Sequence, residues 1–210
     1  MKKSIIITSI VAAAMVCTGL VAWCNHSDSK FIREGKYKVC KLAPLPDIKV
    51  SKGKNRVQGV VLHHTACGNA HKAIGKLRYD ENSSVSCHVV IDRDGTRYVL
   101  ASPDQKTHHA GYSMLHGKPW CNNFTIGIEF QSVDTNRQPL TDQQIESAID
   151  YLLPIIKKYK IPLNNIVTHE QVRNEWLKHH PDRTDVPTKV DVCQTDHQRF
   201  MTALKKRYKR

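Results

Sequence analysis

The chain contains no Cys-x-x-Cys pair, which argues against a structural four-cysteine zinc site. It also lacks internal repeats and low-complexity blocks, so neither a repeat array nor a compositional tract explains its length. Charge is absent from Ser4 to Trp23, directly after Lys2 and Lys3. A short cationic start followed by an apolar run reads as an export signal, and at about 20 residues it is also long enough for a membrane anchor. No small residue precedes Cys24 or Cys17, where Trp23 and Val16 stand, which speaks against lipidation. Acidic residues are scarce as well. Asp and Glu total 19 against 32 Lys and Arg, for a formal charge of +13, or +11 without Lys2 and Lys3. Such a balance steers a protein toward polyanions. For an exported chain these are anionic cell-envelope polymers and lipid head groups; nucleic acid is not expected. The tail Lys205-Lys206-Arg207-Tyr208-Lys209-Arg210 concentrates the charge, either as a solvated patch or as a surface tether.

Seven cysteines are present: Cys17, Cys24, Cys40, Cys67, Cys87, Cys121 and Cys193. Five lie beyond the export segment, and their pairing is left open. The chain divides into 1–24, a signal peptide or membrane anchor with membrane contact through 4–23; 25–55, a polar linker; 56–195, a single folded domain; and 196–210, a basic C-terminal tail.

Within the domain, β-branched runs alternate with helical periodicity. Val57 to His63, Val85 to Ile91, Thr96 to Leu100, Phe124 to Phe130 and Ile166 to His169 read as strands, with Asp94-Gly95 as a hairpin turn. Ala70 to Tyr79 and Thr141 to Lys160 read as helices. The second has capping-box spacing at Thr141 and Gln144, and Pro154 is expected to kink or split it. The fold class expected is α/β, a mixed central β-sheet flanked by α-helices.

Two strands end in a histidine: Val61-Leu62-His63-His64-Thr65 and Ile166-Val167-Thr168-His169-Glu170. Arg183-Thr184-Asp185 follows. Two imidazoles and a carboxylate leave a tetrahedral Zn²⁺ one open position, the pattern of a catalytic site. His179 and His180 lie close to Asp185 and compete as ligands.

Six segments in order complete the picture: Val61 to Ala66, Val85 to Thr96, His109-Ala110-Gly111, Asn122 to Glu129, Thr168-His169-Glu170 and Arg183-Thr184-Asp185. Together they resemble the zinc-dependent N-acetylmuramoyl-L-alanine amidases of the phage lysozyme-type family, whose fold is shared by peptidoglycan recognition proteins. The resemblance covers roughly Arg56 to Val192. It implies His63, His169 and Asp185 as zinc ligands, with His64 on the opposite face of the strand. It implies Glu129 as general base on a zinc-activated water, and Arg183 as the cation that helps hold the oxyanion, in a place where relatives usually carry Lys. It implies His88, His109 and Asn122 as substrate-groove residues, with His109 the strongest groove contact. The tyrosine that some relatives carry before the hairpin-strand histidine is replaced by Cys87. The activity implied is that of an exported hydrolase, periplasmic, secreted or anchored, which cuts peptidoglycan between N-acetylmuramic acid and L-alanine. The alternative is a non-catalytic peptidoglycan-binding receptor on the same fold.

Overall fold

The computed structural model describes residues 31–188 and 191–209. The export segment, with Cys17 and Cys24, lies outside the described residues. The elements in chain order are strands β1 (Phe31–Glu34), β2 (Tyr37–Lys41), β3 (Val50–Lys54) and β4 (Gly59–His64), then helix α1 (Ala70–Ile74), prolonged by one π-helical turn to Tyr79. Strands β5 (Val89–Ile91), β6 (Arg97–Val99), β7 (Gln105–Thr107), β8 (Met114–Leu115), β9 (Lys118–Pro119) and β10 (Thr125–Phe130) follow. Helix α2 (Asp142–Tyr159), strand β11 (Ile166–Thr168) and helices α3 (His169–His179) and α4 (Gln194–Tyr208) complete the fold.

Seven strands form one mixed sheet in the order β1-β2-β6-β5-β10-β4-β11. The β5–β10–β4–β11 half is parallel; β5 and β6 pair antiparallel around the Asp94-Gly95 turn, where Gly95 takes φ +83. A run of buried positions along β4 and β10 marks strands covered on both faces. On one face Val60, Leu62, Ile126, Ile128 and Phe130 meet Ile149, Leu152 and Ile156 of α2 and Phe200 and Leu204 of α4. The capping box at Thr141 and Gln144 is formed. Pro154 does not split α2, because Leu152, Ile155 and Ile156 on either side of it are buried in this core.

Two expected boundaries are corrected. Residues 31–54, read as linker, form three strands, and β2 joins the sheet beside β6 (Val39↔Arg97). Lys36, Lys38 and Lys41 face solvent while Tyr37, Val39 and Cys40 are buried, so the lysines mask the strand pattern. Lys49, in the same stretch, is fully buried, and its ammonium donates to the carbonyls of Lys76, Ser83 and Val85. The expected tail is helix α4, whose charges hide an apolar edge at Phe200 and Leu204. Among the described residues no helix is long and apolar enough to cross a membrane, and Cys67, Cys87, Cys121 and Cys193 are free thiols.

Candidate metal centre

The second face of the sheet carries a small apolar patch, including Val61, Ala110, Phe124, Val167 and Val172, and above it a cluster of polar groups. His63 is the penultimate residue of β4. His169 opens α3 immediately after β11, whose Thr168 caps that helix through a second capping box with Gln171. Since Thr168 pairs in register with Leu62, the next residue along each strand is a histidine, and the two imidazoles meet. His63 Nδ1 lies 3.1 Å from His169 Nδ1.

The carboxylate that joins them is Asp191. Its Oδ2 is 3.1 Å from His169 Nδ1, and its Oδ1 is 3.8 Å from His63 Nδ1. All three residues are buried, and one donor atom from each falls within 4.8 Å of the others. The His64 amide donates to Asp191 Oδ1 (3.3 Å), and the Thr135 hydroxyl donates to the Asp191 carbonyl (3.0 Å), which fixes the segment before α4 against β4. The His64 ring also comes within 3.8 Å of Asp191 Oδ1, and burial lowers its pKa.

The hydrogen-bond chain around the cluster fixes the tautomers. Thr125 Oγ1 donates to the Cys121 carbonyl (2.7 Å), so it accepts from His109 Nε2 (3.3 Å). His109 Nδ1 therefore accepts from His63 Nε2 (3.0 Å). His169 Nε2 donates to the Ala110 carbonyl (3.1 Å). The Nδ1 atoms of both rings face each other and the Asp191 carboxylate. The His63 Nδ1–His169 Nδ1 and His169 Nδ1–Asp191 Oδ2 separations, both 3.1 Å, compare with about 3.3 Å expected between ligands of a tetrahedral zinc at about 2.0–2.1 Å, and one donor atom from each of the three residues lies within 4.8 Å of the others. The donor set thus fits zinc in number, chemistry and spacing.

Glu129 of β10 stands in register with His63, and the two line a cleft of about 450 Å³ together with His64, His109, His169 and Asp191. His109 lines both this cleft and the neighbouring groove, yet it is largely buried against His63, with only 6 % of it exposed. Its imidazole is held far below the usual value, first by burial and then by neighbouring His88 and His169. Gly127 makes this possible, because a Cβ there would lie 2.5 Å from His109 Cγ. Asn122 accepts from the His109 and Ala110 amides (3.0 and 2.8 Å) and lines a neighbouring groove of about 290 Å³.

Three expectations fail. Asp185 is not brought to the histidine pair. Its side chain is 64 % exposed and forms a two-pronged pair with Arg183, Nε to Oδ1 at 2.6 Å and the terminal nitrogen to Oδ2 at 2.8 Å. Arg183, so engaged, lies over the Tyr112 ring at 4.3 Å and not at the donor cluster. His88 does not line the groove. It is fully buried, takes the Gly127 amide on Nδ1 and donates from Nε2 to the Gln105 carbonyl (both 3.0 Å), and burial pushes its pKa down to about 4. Neither His179 nor His180 joins the donor group; His180 stacks on Trp176. Asp191 was the missed residue. No local periodicity marks it; what singles it out is the contact its segment makes with His64 and Thr135.

A family model described as N-acetylmuramoyl-L-alanine amidase matches residues 53–189, more than half of the chain, and stops just short of Asp191. The chain is 41% identical over 123 residues to the 1,6-anhydro-N-acetylmuramyl-L-alanine amidase AmpD of Haemophilus influenzae, covering 58% of this chain and 59% of that protein. It is 35% identical over 92 residues to AmpD of Enterobacter cloacae, covering 44% and 48%. The chain thus spans about half the length of the curated relatives it matches. The solved N-acetylmuramoyl-L-alanine amidase LysC from Clostridium intestinale superposes with a TM-score of 0.56 at 20% identity, over 80% of this chain and 97% of that one, which establishes a shared fold. By the extent of the family match, the chain belongs to the N-acetylmuramoyl-L-alanine amidase family.

Proposed function

We propose that the protein is a zinc-dependent peptidoglycan amidase that hydrolyses the bond between the lactyl group of N-acetylmuramic acid and the first L-alanine of the stem peptide. The observation that carries this reading is the convergence of one donor atom each from His63, His169 and Asp191, all within 4.8 Å of one another, in the lining of a cleft that Glu129 also lines. Zinc held there would supply a Lewis acid for the scissile carbonyl and would lower the pKa of water. The chain's own contribution is geometric and electrostatic. His109 and the Ala110 carbonyl hold the two ligand imidazoles in the tautomer that presents Nδ1. The dry, buried setting strengthens each of these interactions.

Glu129 has the position and chemistry of the proton carrier. Amide hydrolysis needs a base to take a proton from water and an acid to return it to the leaving amine, and one carboxylate serves both steps. Arg183, tied to Asp185, is assigned no step. The exported location belongs to the same proposal and rests on the Lys2-Lys3 start and the uncharged run of residues 4–23.

The test is mass spectrometry of muropeptides digested with and without a chelator. Free stem peptide and peptide-free glycan should appear, vanish on chelation and return with zinc. Glu129→Gln should keep its metal and lose about 10²–10⁴-fold in rate. Binding of muropeptide without release of stem peptide by the zinc-loaded wild type would instead establish the receptor reading.

A further inference from the structure

Beside the donor cluster, the smaller groove runs from His109 and His169 past Asn122 and Arg173 to Tyr112. Tyr112 is also the first member of an aromatic group that the chemistry above does not use. Its ring is 5.8 Å from Trp120 and 5.7 Å from Trp176, and the two indoles are 5.0 Å apart. Trp120 is 47 % exposed and Tyr112 39 %. Trp176 is buried beneath them, stacked on His180 at 3.8 Å, and its indole N–H has no hydrogen-bond acceptor among the described residues.

Trp120 follows the β8–β9 hairpin with φ +63, left-handed backbone that a bulky residue rarely adopts. Its amide is anchored to the Ser113 carbonyl at 2.8 Å. Local preference would place Gly or Asn there. An exposed indole held at such a backbone angle marks a site where surface presentation outweighs local preference.

The chemistry of the patch selects its ligand. The one cation above it, Arg183 over Tyr112, is already neutralised by Asp185 through two hydrogen bonds. The patch therefore offers flat aromatic faces and no free charge. A stem peptide carries carboxylates and finds no partner on these rings; Arg173, which lines the adjoining groove, already donates to the Val186 and Pro187 carbonyls and to Asn174 Oδ1. Lys76, on the wall of the larger cleft, offers an exposed cation on that side instead. A pyranose ring has an apolar C–H face to lie on an aromatic ring and a hydroxyl and acetamido edge for polar groups such as an indole N–H. If the scissile amide sits at the donor cluster, the glycan must leave on one side and the peptide on the other.

We propose that Tyr112, Trp120 and Trp176 form a saccharide-binding shelf for an N-acetylhexosamine unit next to the muramoyl sugar, so that the protein prefers a substrate with a second sugar. This rests on the amidase reading.

Two measurements test it. The first is calorimetric titration with chitotetraose, a neutral β-1,4-linked N-acetylglucosamine oligomer, which needs no amide cleavage. Wild type should bind it saturably, Trp120→Ala and Tyr112→Ala should not, and Trp120→Phe should retain binding. The second compares kcat/KM on a disaccharide-peptide with kcat/KM on a single-sugar muramoyl-peptide of the same stem. Trp120→Ala should lower that ratio about tenfold, the scale of one lost aromatic contact, and Trp120→Phe should restore it. An unchanged ratio in a folded Trp120→Ala protein overturns the shelf. So does an equal fall on both substrates, which would assign the patch to the peptide or to the fold. Chitotetraose binding by a wild type that cuts neither substrate would keep the shelf and defeat the amidase reading.

Discussion

The two faces of the central sheet are made by the same strands and serve opposite ends. On β4 and β10, Val60, Leu62, Ile126 and Ile128 join an apolar core with residues of α2 and α4. Alternate residues of the same strands, Val61, His63, Gly127 and Glu129, belong to the other face, where four imidazoles sit nearly dry. His63, His88, His109 and His169 are exposed by 2 %, 0 %, 6 % and 7 %. Burying imidazoles costs free energy unless each nitrogen is satisfied. Here each ring donates one hydrogen bond, and the Nδ1 atoms of His63 and His169 face Asp191. The contrast teaches that the helix-covered face supplies stability, so that the other face can hold a buried cluster of polar groups around His63, His169 and Asp191.

The largest effect is expected from removing the carboxylate of the polar face. Asp191→Ala should abolish stoichiometric zinc after dialysis and lower hydrolysis about 10⁴-fold, because Lewis acidity and the lowered water pKa disappear together. Its circular dichroism should stay native, since the apolar face is untouched. Full metal content in this variant would break the proposed division of labour and assign the third ligand elsewhere.

The mirror experiment acts on the other face. Phe200 is fully buried on α4, edge-on to Phe130 with centroids 6.2 Å apart. Phe200→Ala should cost about 3–5 kcal/mol in urea denaturation by leaving a cavity, while the folded fraction keeps its zinc. A loss below about 1 kcal/mol would show that α4 is peripheral, as a solvated tail would be.

How much of this was legible follows the same line. Strands β4, β10 and β11 and helix α2 announce themselves by local periodicity, and the capping boxes at Thr141 and Thr168 are local pairs. His63 and His169 were readable because each ends an apolar run. The carboxylate that meets them was not, because residues 180–191 have no periodicity, and Asp185 and Asp191 differ only in what the rest of the chain brings to them. The Thr135 hydroxyl and the His64 amide select Asp191, from 56 and 127 residues away in sequence. Strands β1 and β2 were hidden by their exposed lysines, and α4 by its basic surface. In both cases composition concealed a period.

Acid should act on the polar face first. Burial lowers the folded-state pKa of His88 to about 4, and it shifts His64 and His109 downward as well. A folded-state value below the unfolded one of about 6.5 means that the unfolded chain binds more protons in the interval between them. The stabilisation is therefore complete above pH 6.5 and is lost as pH falls toward 4. In chelator-treated protein, stability from urea melts should drop as pH falls from 6.5 to 5, His88 alone contributing up to about 1.4 kcal/mol per pH unit and His64 and His109 acting in the same direction. A flat profile over that interval would mean that these rings admit protons without opening the fold.

The smallest effect sharpens the comparison most, because it sets two aspartates six residues apart against each other. Asp185 is exposed and bound to Arg183 at the surface, where solvent screens such a pair. Asp185→Ala should keep one zinc per chain and leave the urea midpoint essentially unchanged. The two variants, run side by side for metal content, separate the alternatives completely. Zinc lost with Asp191 and kept without Asp185 follows from the packing of the Asp191 segment against β4. Zinc lost without Asp185 would require the 180–191 segment to rearrange around the metal, and would return the third ligand to the position that the strand-end histidines first suggested.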